Sequence, residues 1–390
     1  MNFSSKRMLA IGAVALPIGL AIALNGSNVP GVVFAQNQTA APKPQMSEAA
    51  FKNIQVLKGI PVDEFMGTMG LFSAALSVCC GDCHKNAGTD HPDWAADPPR
   101  KIVARRMVTM VQAINRDNFR GRQVVTCWTC HRGAQSPSTT PPLDTIYNDA
   151  PVFMPPDVLP TAPPATSGTP PADQILDKYI SALGGADRLS KLTSYTAKGT
   201  SHLFGEVNND PVEIYAKAPG MLATIVHQKE GDLARTYDGR EAWVMLPLTV
   251  VNEYPLNASA FDGAKLDAQL AFPAGLKPFF SNWKVTYPGN VDGKDVYIIQ
   301  GSTPSGMLAT FYFDKKTGLL TRVVRYANSA VGRVPTQWDL SDYRAVAGVM
   351  MPFKWTFGWV SGREEYQLTD VQPNAAVDAA KFGKPVQRSK

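Results

Sequence analysis

One pentapeptide pattern occurs twice in this chain, as Cys80-Gly81-Asp82-Cys83-His84 and as Cys127-Trp128-Thr129-Cys130-His131. Two thiols separated by two residues and followed directly by an imidazole are the signature of covalent c-type haem attachment. Each thiol adds to one haem vinyl group, and the adjacent His is held under the iron. The two motifs use four of the five cysteines, a spacing that fits haem attachment far better than a disulfide framework. Two covalently bound haem c groups are expected, one on Cys80 and Cys83 with His84 as proximal ligand, one on Cys127 and Cys130 with His131. Cys79 is left over and reads as a packed free thiol beside the first haem.

The formal charge of +5 is too mild to argue for nucleic acid as a partner, and no Lys/Arg block stands out. The N-terminus reads as an export segment over residues 1–35. Lys6 and Arg7 supply the positive start, Met8 to Leu24 is an uncharged apolar run, and Val33-Phe34-Ala35 offers small residues for cleavage before Gln36. An uncleaved anchor is the alternative, since the run approaches the lower limit for spanning a bilayer. Export agrees with c-type haem, and the expected location is periplasmic or membrane-associated on the extracytoplasmic side.

Residues 36–45 are polar and read as disordered. The haem segment covers 46–134. Residues 135–172 are rich in Pro, Thr, Ser and Ala, with doublets such as Pro141-Pro142 and Pro170-Pro171, and read as a semi-extended linker. From 173 to 390 a helix ending at Gly184-Gly185 is followed by strand-like runs such as Ser194 to Leu203, Leu308 to Phe313 and Lys354 to Trp359. Turn signals at Asp238-Gly239 and Asp292-Gly293 join them at hairpin distance. One helix, Ala258 to Leu270, interrupts them. The fold class is multidomain: a mainly α haem-binding domain, then an α+β antiparallel half-barrel.

Within the haem segment, Pro61 opens a helix on which Phe65, Met69, Phe72 and Leu76 form one apolar stripe. A second helix starts at Pro99 and carries Val103, Met107, Met110, Val111 and Ile114 on one side. Two irons need distal ligands and only three His lie outside the motifs. The helices offer Met66 or Met69 and Met107 or Met110, and a thioether ligand gives a closed, six-coordinate iron. His91 reads as a solvated loop residue. Arg132 and one of Arg105 and Arg106 are candidate partners for haem propionates.

The segment resembles the cytochrome c subunit of photosynthetic reaction centres. The resemblance lies in Phe65-Met66-Gly67-Thr68-Met69, in Lys101 to Met107, in Asn115-Arg116-Asp117 and in Cys127 to Gly133. It implies that a helix-borne Met ligates the haem attached just downstream, and selects Met69 for the first haem and Met107 for the second. It also implies mainly α architecture of the multihaem cytochrome c type and electron transfer with redox partner proteins, a membrane reaction centre or a respiratory complex. The photosynthetic members carry four haems, whereas this chain has motifs for two. The expected role is electron carriage rather than enzymatic turnover. A dihaem peroxidase or oxidase, which needs an open distal position, is the alternative.

The C-terminal part is similar to the periplasmic lipoprotein-carrier fold, LolA/LolB-like, at Ala182 to Ala186, Tyr237 to Trp243, Phe313 to Leu319 and Gly348 to Pro352. That resemblance implies a half-barrel able to hold an apolar ligand, lined by Trp243, Phe279, Phe280, Trp283, Phe311, Phe313, Trp355 and Trp359, although aromatics there also suit a plain core. A lipid or lipoprotein binder with a haem redox module is a third reading. The linker composition suggests that the two halves are not fixed to each other and that the haem module works autonomously.

Overall fold

The structure, a computed structural model, describes residues 43–140, 157–159, 161–162, 168–247 and 249–387. The export segment expected over 1–35 lies outside them, as do most of 36–45 and much of 135–172. Among the described residues no helix is long and apolar enough to cross a membrane.

The haem segment is helical. After a short α1 (Ser47–Ala50), α2 (Val62–Leu76) begins behind Pro61, whose φ of −62° suits a helix start, and carries Asp63 and Glu64 in its first turn, where they favour the dipole. Ser77, at φ 50°, stops it. α3 (Cys80–Cys83) and α5 (Cys127–His131) carry the two C-x-x-C-H motifs, and α4 (Pro99–Phe119) lies between them. The buried faces differ from the expected stripes. On α2 the fully buried positions include Thr68, Gly70, Leu71 and Ala75, while Phe65, Met69 and Phe72 are half-buried. On α4 they are Val108, Val111 and Asn115, while Val103, Met107 and Met110 are exposed.

Two helices, α6 (Ala172–Ala182) and α7 (Ala186–Lys191), precede a 14-stranded sheet. Its first six strands are β1 (Ser194–Leu203), β2 (Asp210–Lys217), β3 (Met221–Gln228), β4 (Gly231–Tyr237), β5 (Ala242–Met245) and β6 (Glu253–Pro255). After α8 (Ala258–Ala271) and α9 (Leu276–Phe279) come β7 (Asn282–Val285), β8 (Gly289–Val291), β9 (Lys294–Ser302), β10 (Leu308–Asp314) and β11 (Leu320–Ser329). The last three are β12 (Gly332–Val346), β13 (Val349–Trp359) and β14 (Gly362–Pro373). The order is β6-β5-β4-β3-β2-β1-β14-β13-β12-β11-β10-β9-β7, with β8 on β9. All pairings are antiparallel, as hairpin-length connections require. The first and last strands pair and fuse two meanders into one sheet, while β6 and β7 remain separate edges, so the sheet is open.

One face of the sheet is apolar with period two: Val349, Met351, Phe353, Trp355 and Phe357 of β13 are all buried. Ile175, Leu176 and Tyr179 of α6 and Leu266 of α8 join the same core. Asp267 of α8 accepts two hydrogen bonds from the Arg325 guanidinium of β11, at 2.9 and 3.2 Å, tying helix to sheet.

The two halves are packed together, contrary to the independence that the linker suggests. Ala41–Lys390 form one compact unit. Gly67 and Gly70, three apart on one face of α2, lie against the start of β12 and the β13–β14 turn. A Cβ on Gly70 would stand 2.7 Å from Val360 Cγ2, and one on Gly67 3.5 Å from Val334 Cγ2. At the helix start, the Asp63 carboxylate accepts from Asn257 N at 2.7 Å and from Asn257 Nδ2 at 3.2 Å. Linker composition says nothing about the surfaces it joins, and these surfaces are complementary.

Candidate functional site

The second motif is held from three sides. Asn115, buried on α4, donates from Nδ2 to Val125 O (2.7 Å) and accepts at Oδ1 from Val124 N (3.0 Å) and Val125 N (2.9 Å). These bonds fix the strand of chain that enters α5. Thr126 then caps the helix in a reciprocal pair: Thr126 N donates to Thr129 Oγ1 (3.0 Å), and Thr129 N donates to Thr126 Oγ1 (3.3 Å). At its other end Arg132 and Gly133 turn left-handed, and Gly133 N donates to Ala75 O of α2 at 3.0 Å. His131 Nδ1 lies 3.0 Å from Ala134 O. A proton on Nδ1 satisfies that carbonyl and leaves the Nε2 lone pair for a metal, which is how a ligating His is oriented. Cys127 is buried in a cluster with Leu57, Leu71, Ala75, Val108 and Val331, and burial pushes its thiol pKa up.

The first motif is more open. Cys79 and Cys80 are exposed. Asp82 closes the turn by accepting from Cys79 N at 3.0 Å and Cys79 Sγ at 3.3 Å, and Arg100 of α4 pairs with it at 2.6 Å. Cys79 is thus an exposed turn residue, not the packed thiol expected. His84 stands edge-on to Trp94, with ring centroids 5.1 Å apart. Its Nδ1 is buried and makes no hydrogen bond, although the Trp94 carbonyl is near enough to favour protonation. Burial, with the Lys101 charge next, outweighs that carbonyl and pushes the imidazole pKa down, holding the neutral form that iron ligation needs. Lys101 itself donates to Trp94 O (2.9 Å) and Ala96 O (2.8 Å).

These residues fit a haem. Each motif supplies two thiols and a neutral or orientable imidazole, and His84 Nδ1 is a buried polar atom without a partner. α4 exposes Ile102, Val103, Met107 (37%) and Met110 (43%), with Trp128 and Val124 also exposed, apolar side chains that a flat apolar ring would cover. Among the described residues no three His, Cys, Asp or Glu side chains converge on a metal site.

The packing of the Met-bearing helices crosses over: α2, with Met66 and Met69, lies against α5, and α4, with Met107 and Met110, lies against α3. Met69 packs on the cluster that contains Cys127. Of the propionate candidates, Arg105 is already engaged with Asp97 (2.7 Å) and Asn53 O (2.9 Å). Arg106 and Arg132 make no ion pair among the described residues. His91 is an exposed loop residue, as expected. Trp94 and Asp82 are organising residues that motif reading did not single out, and Asn115, read only as part of a family motif, proves to hold the entry to α5; the Asp three residues after Cys79 is the sequence signal for the first turn.

In the sheet domain a cavity of about 140 Å³ lies between the apolar face and the helices, lined among others by Leu183, Tyr195, Leu222, Leu270, Phe272 and Trp355. Of the eight aromatics expected to line it only Trp355 does. Phe280, Trp283, Phe311 and Phe313 stack on one another within the core instead.

A helical segment carrying two C-x-x-C-H helices is docked on an open antiparallel sheet, the arrangement of a cytochrome-like module joined to a β domain. Residues 23–148 match the model of the photosynthetic reaction centre cytochrome C subunit family. The corresponding subunit of Thermochromatium tepidum is 38% identical over 99 residues, 24% of this chain and 23% of that protein. That of Roseobacter denitrificans is 32% identical over 102 residues, 24% of this chain and 27% of the relative. The chain thus spans about a quarter of the length of the curated relatives it matches. Among solved structures, a DUF1329 family protein of Desulfovibrio piger is similar over 55% of this chain and 98% of its own, at 15% identity and a TM-score of 0.39. A LolA superfamily protein of Nitrosomonas europaea is similar over 55% and 97%, at 12% identity and a TM-score of 0.37. The N-terminal third resembles the reaction-centre cytochrome c subunits, and the open-sheet assignment of the remainder rests on its own topology.

Proposed function

We propose that this chain is an extracytoplasmic dihaem c-type cytochrome that passes electrons between protein partners. The observation that carries the reading is the duplicated C-x-x-C-H, each copy formed as a short helix, with His84 at the C-cap of the first and His131 the last residue of the second. The family match over residues 23–148 supports it. In this reading Cys80 and Cys83 hold one haem c and Cys127 and Cys130 the other. His84 and His131 are the proximal ligands, and Met69 and Met107 the distal ones. The haem supplies a reversible one-electron couple. The chain's residues fix its edge, orient the imidazoles and limit water. The domains are an export segment at 1–35, a haem domain at 46–134 and a sheet domain at 173–390, with 135–172 as linker. The partner is a membrane reaction centre or a respiratory complex on the extracytoplasmic side. The sheet cavity takes an apolar ligand. At about 140 Å³ it suits a molecule of benzene size, since a cavity of about 150 Å³ holds one, unless the sheet opens.

An optical spectrum separates electron transfer from peroxidase or oxidase chemistry. Thioether-to-iron charge-transfer bands in the near infrared for both haems are expected. A high-spin ferric haem in the resting protein would mean an open distal position and an enzyme.

A further inference from the structure

The turn between β11 and β12 reaches into the haem segment. Val331, at its tip, is 2% exposed and belongs to the same buried cluster as Leu71, Ala75, Val108 and Cys127. Its neighbour Gly332 lies so close that a Cβ there would stand 2.9 Å from Thr126 Cγ2 and 3.3 Å from Leu71 Cδ2. Gln123 Nε2, on the loop that leads into the second motif, donates to Ser329 O at 2.9 Å. The adjacent turn between β13 and β14 brings Val360 against Gly70. Every partner given above for the first motif lies in the haem segment itself.

We propose that the β11–β12 turn is a wall of the second haem's site, through which the sheet domain sets the redox potential of the haem on Cys127 and Cys130 and not that of the haem on Cys80 and Cys83. The physical basis is water. The ferric haem carries one more positive charge than the ferrous, so water at the attachment edge stabilises it and lowers the potential, and an apolar wall raises it. Val331 joins Leu57, Leu71, Ala75 and Val108 in the buried cluster around Cys127 and is the sheet domain's buried member of it, removing water at the thioether position. The sheet domain is thereby a tuning element for one of two otherwise similar centres, and not a tethered passenger. This rests on the dihaem reading.

The test is a redox titration of the full-length holoprotein with Val331→Ser, the two steps being assigned with a Cys80→Ser/Cys83→Ser variant that keeps only the second haem. Amide hydrogen exchange over residues 126–134 is measured alongside it. The expected result is a lower potential for the second haem, an unmoved first, and faster exchange over 126–134. Gln123→Ala, which removes only the bond to Ser329, should act in the same direction and less, and serves if the Ser variant does not fold. Unchanged potentials, or equal shifts of both haems, overturn the proposal, as does unchanged exchange. A wild-type mass without haem on Cys127 and Cys130 would instead remove the dihaem reading beneath it, and the two failures are thus told apart.

Discussion

The two haem motifs share a spacing but not a setting. The first, at Cys80 to His84, is built from its own neighbours: an Asp82 turn, an Arg100 ion pair and a Trp94 edge, with Cys80 in solvent. The second, at Cys127 to His131, is clamped by α2, by Asn115 of α4 and by a turn of the sheet domain, and its first cysteine is buried. Identical chemistry is thus placed in two environments, one local and one assembled from residues some two hundred positions apart. In the proposed dihaem reading such a difference would separate the two potentials and give transfer a direction.

The largest effects should come from the distal ligands. Met107→Ala and Met69→Ala should each open one haem, permit carbon monoxide binding, and lower that potential by a sizeable part of the roughly 0.8 V that axial ligands command. Because α2 lies against α5 and α4 against α3, assigning which haem changes in each variant also tests the pairing. If Met66→Ala or Met110→Ala opens a haem instead, the distal register is one helical turn away.

Leu71→Ala should strike the second motif alone. Leu71 is 6% exposed in the shared cluster, and truncating such a side chain costs about 2–5 kcal/mol. Denaturant unfolding should show the loss, and exchange over 126–134 should rise while that over 79–84 does not. Equal rises in both would break the contrast. Asn115→Ala removes three hydrogen bonds from the entry to α5 and should cost about 1–3 kcal/mol, read as a lowered unfolding midpoint with the first haem's spectrum unchanged.

The smallest effect expected is on pH dependence. Burial raises the Asp63 carboxyl above its ordinary value, against the opposing Asn257 hydrogen bonds, and Glu64 shifts the same way through burial. The folded chain therefore holds these protons more tightly than the unfolded chain. Their stabilising share is complete below the ordinary carboxyl range and is lost as pH rises through the raised folded values. Asp63→Asn should flatten the pH dependence of the unfolding midpoint above the ordinary carboxylate range, leaving the slope from Glu64. An unchanged slope would place the Asp63 carboxyl in water and loosen the α2–Asn257 contact.

Much of the sheet is legible from alternation and turns. β1 begins and ends where its pattern of apolar and polar residues does, and β10 and β13 announce themselves as aromatic runs. β12 and β14 do not, because only parts of them are buried. Gly332–Val346 carries Pro335, Asp339 and Asp342, and in its far half only Leu340, Tyr343 and Val346 pack on the core while residues between them are exposed. The C-x-x-C-H motifs are legible at the level of five residues, each folding as a short helix. Their surroundings are not. Gly67, Gly70 and Gly332 are silent as letters and matter only because other backbones approach them, and Asn115 acts through the backbone of a loop ten residues on. The apolar side of α4 is only partly buried: Val111 lies in the core, while Met107 and Met110 remain exposed.

The most direct measurement is the mass of the exported, full-length chain produced with haem-maturation enzymes. The account predicts two haem additions, falling to one in Cys80→Ser/Cys83→Ser and to one in Cys127→Ser/Cys130→Ser. A wild-type chain carrying one haem or none would contradict it.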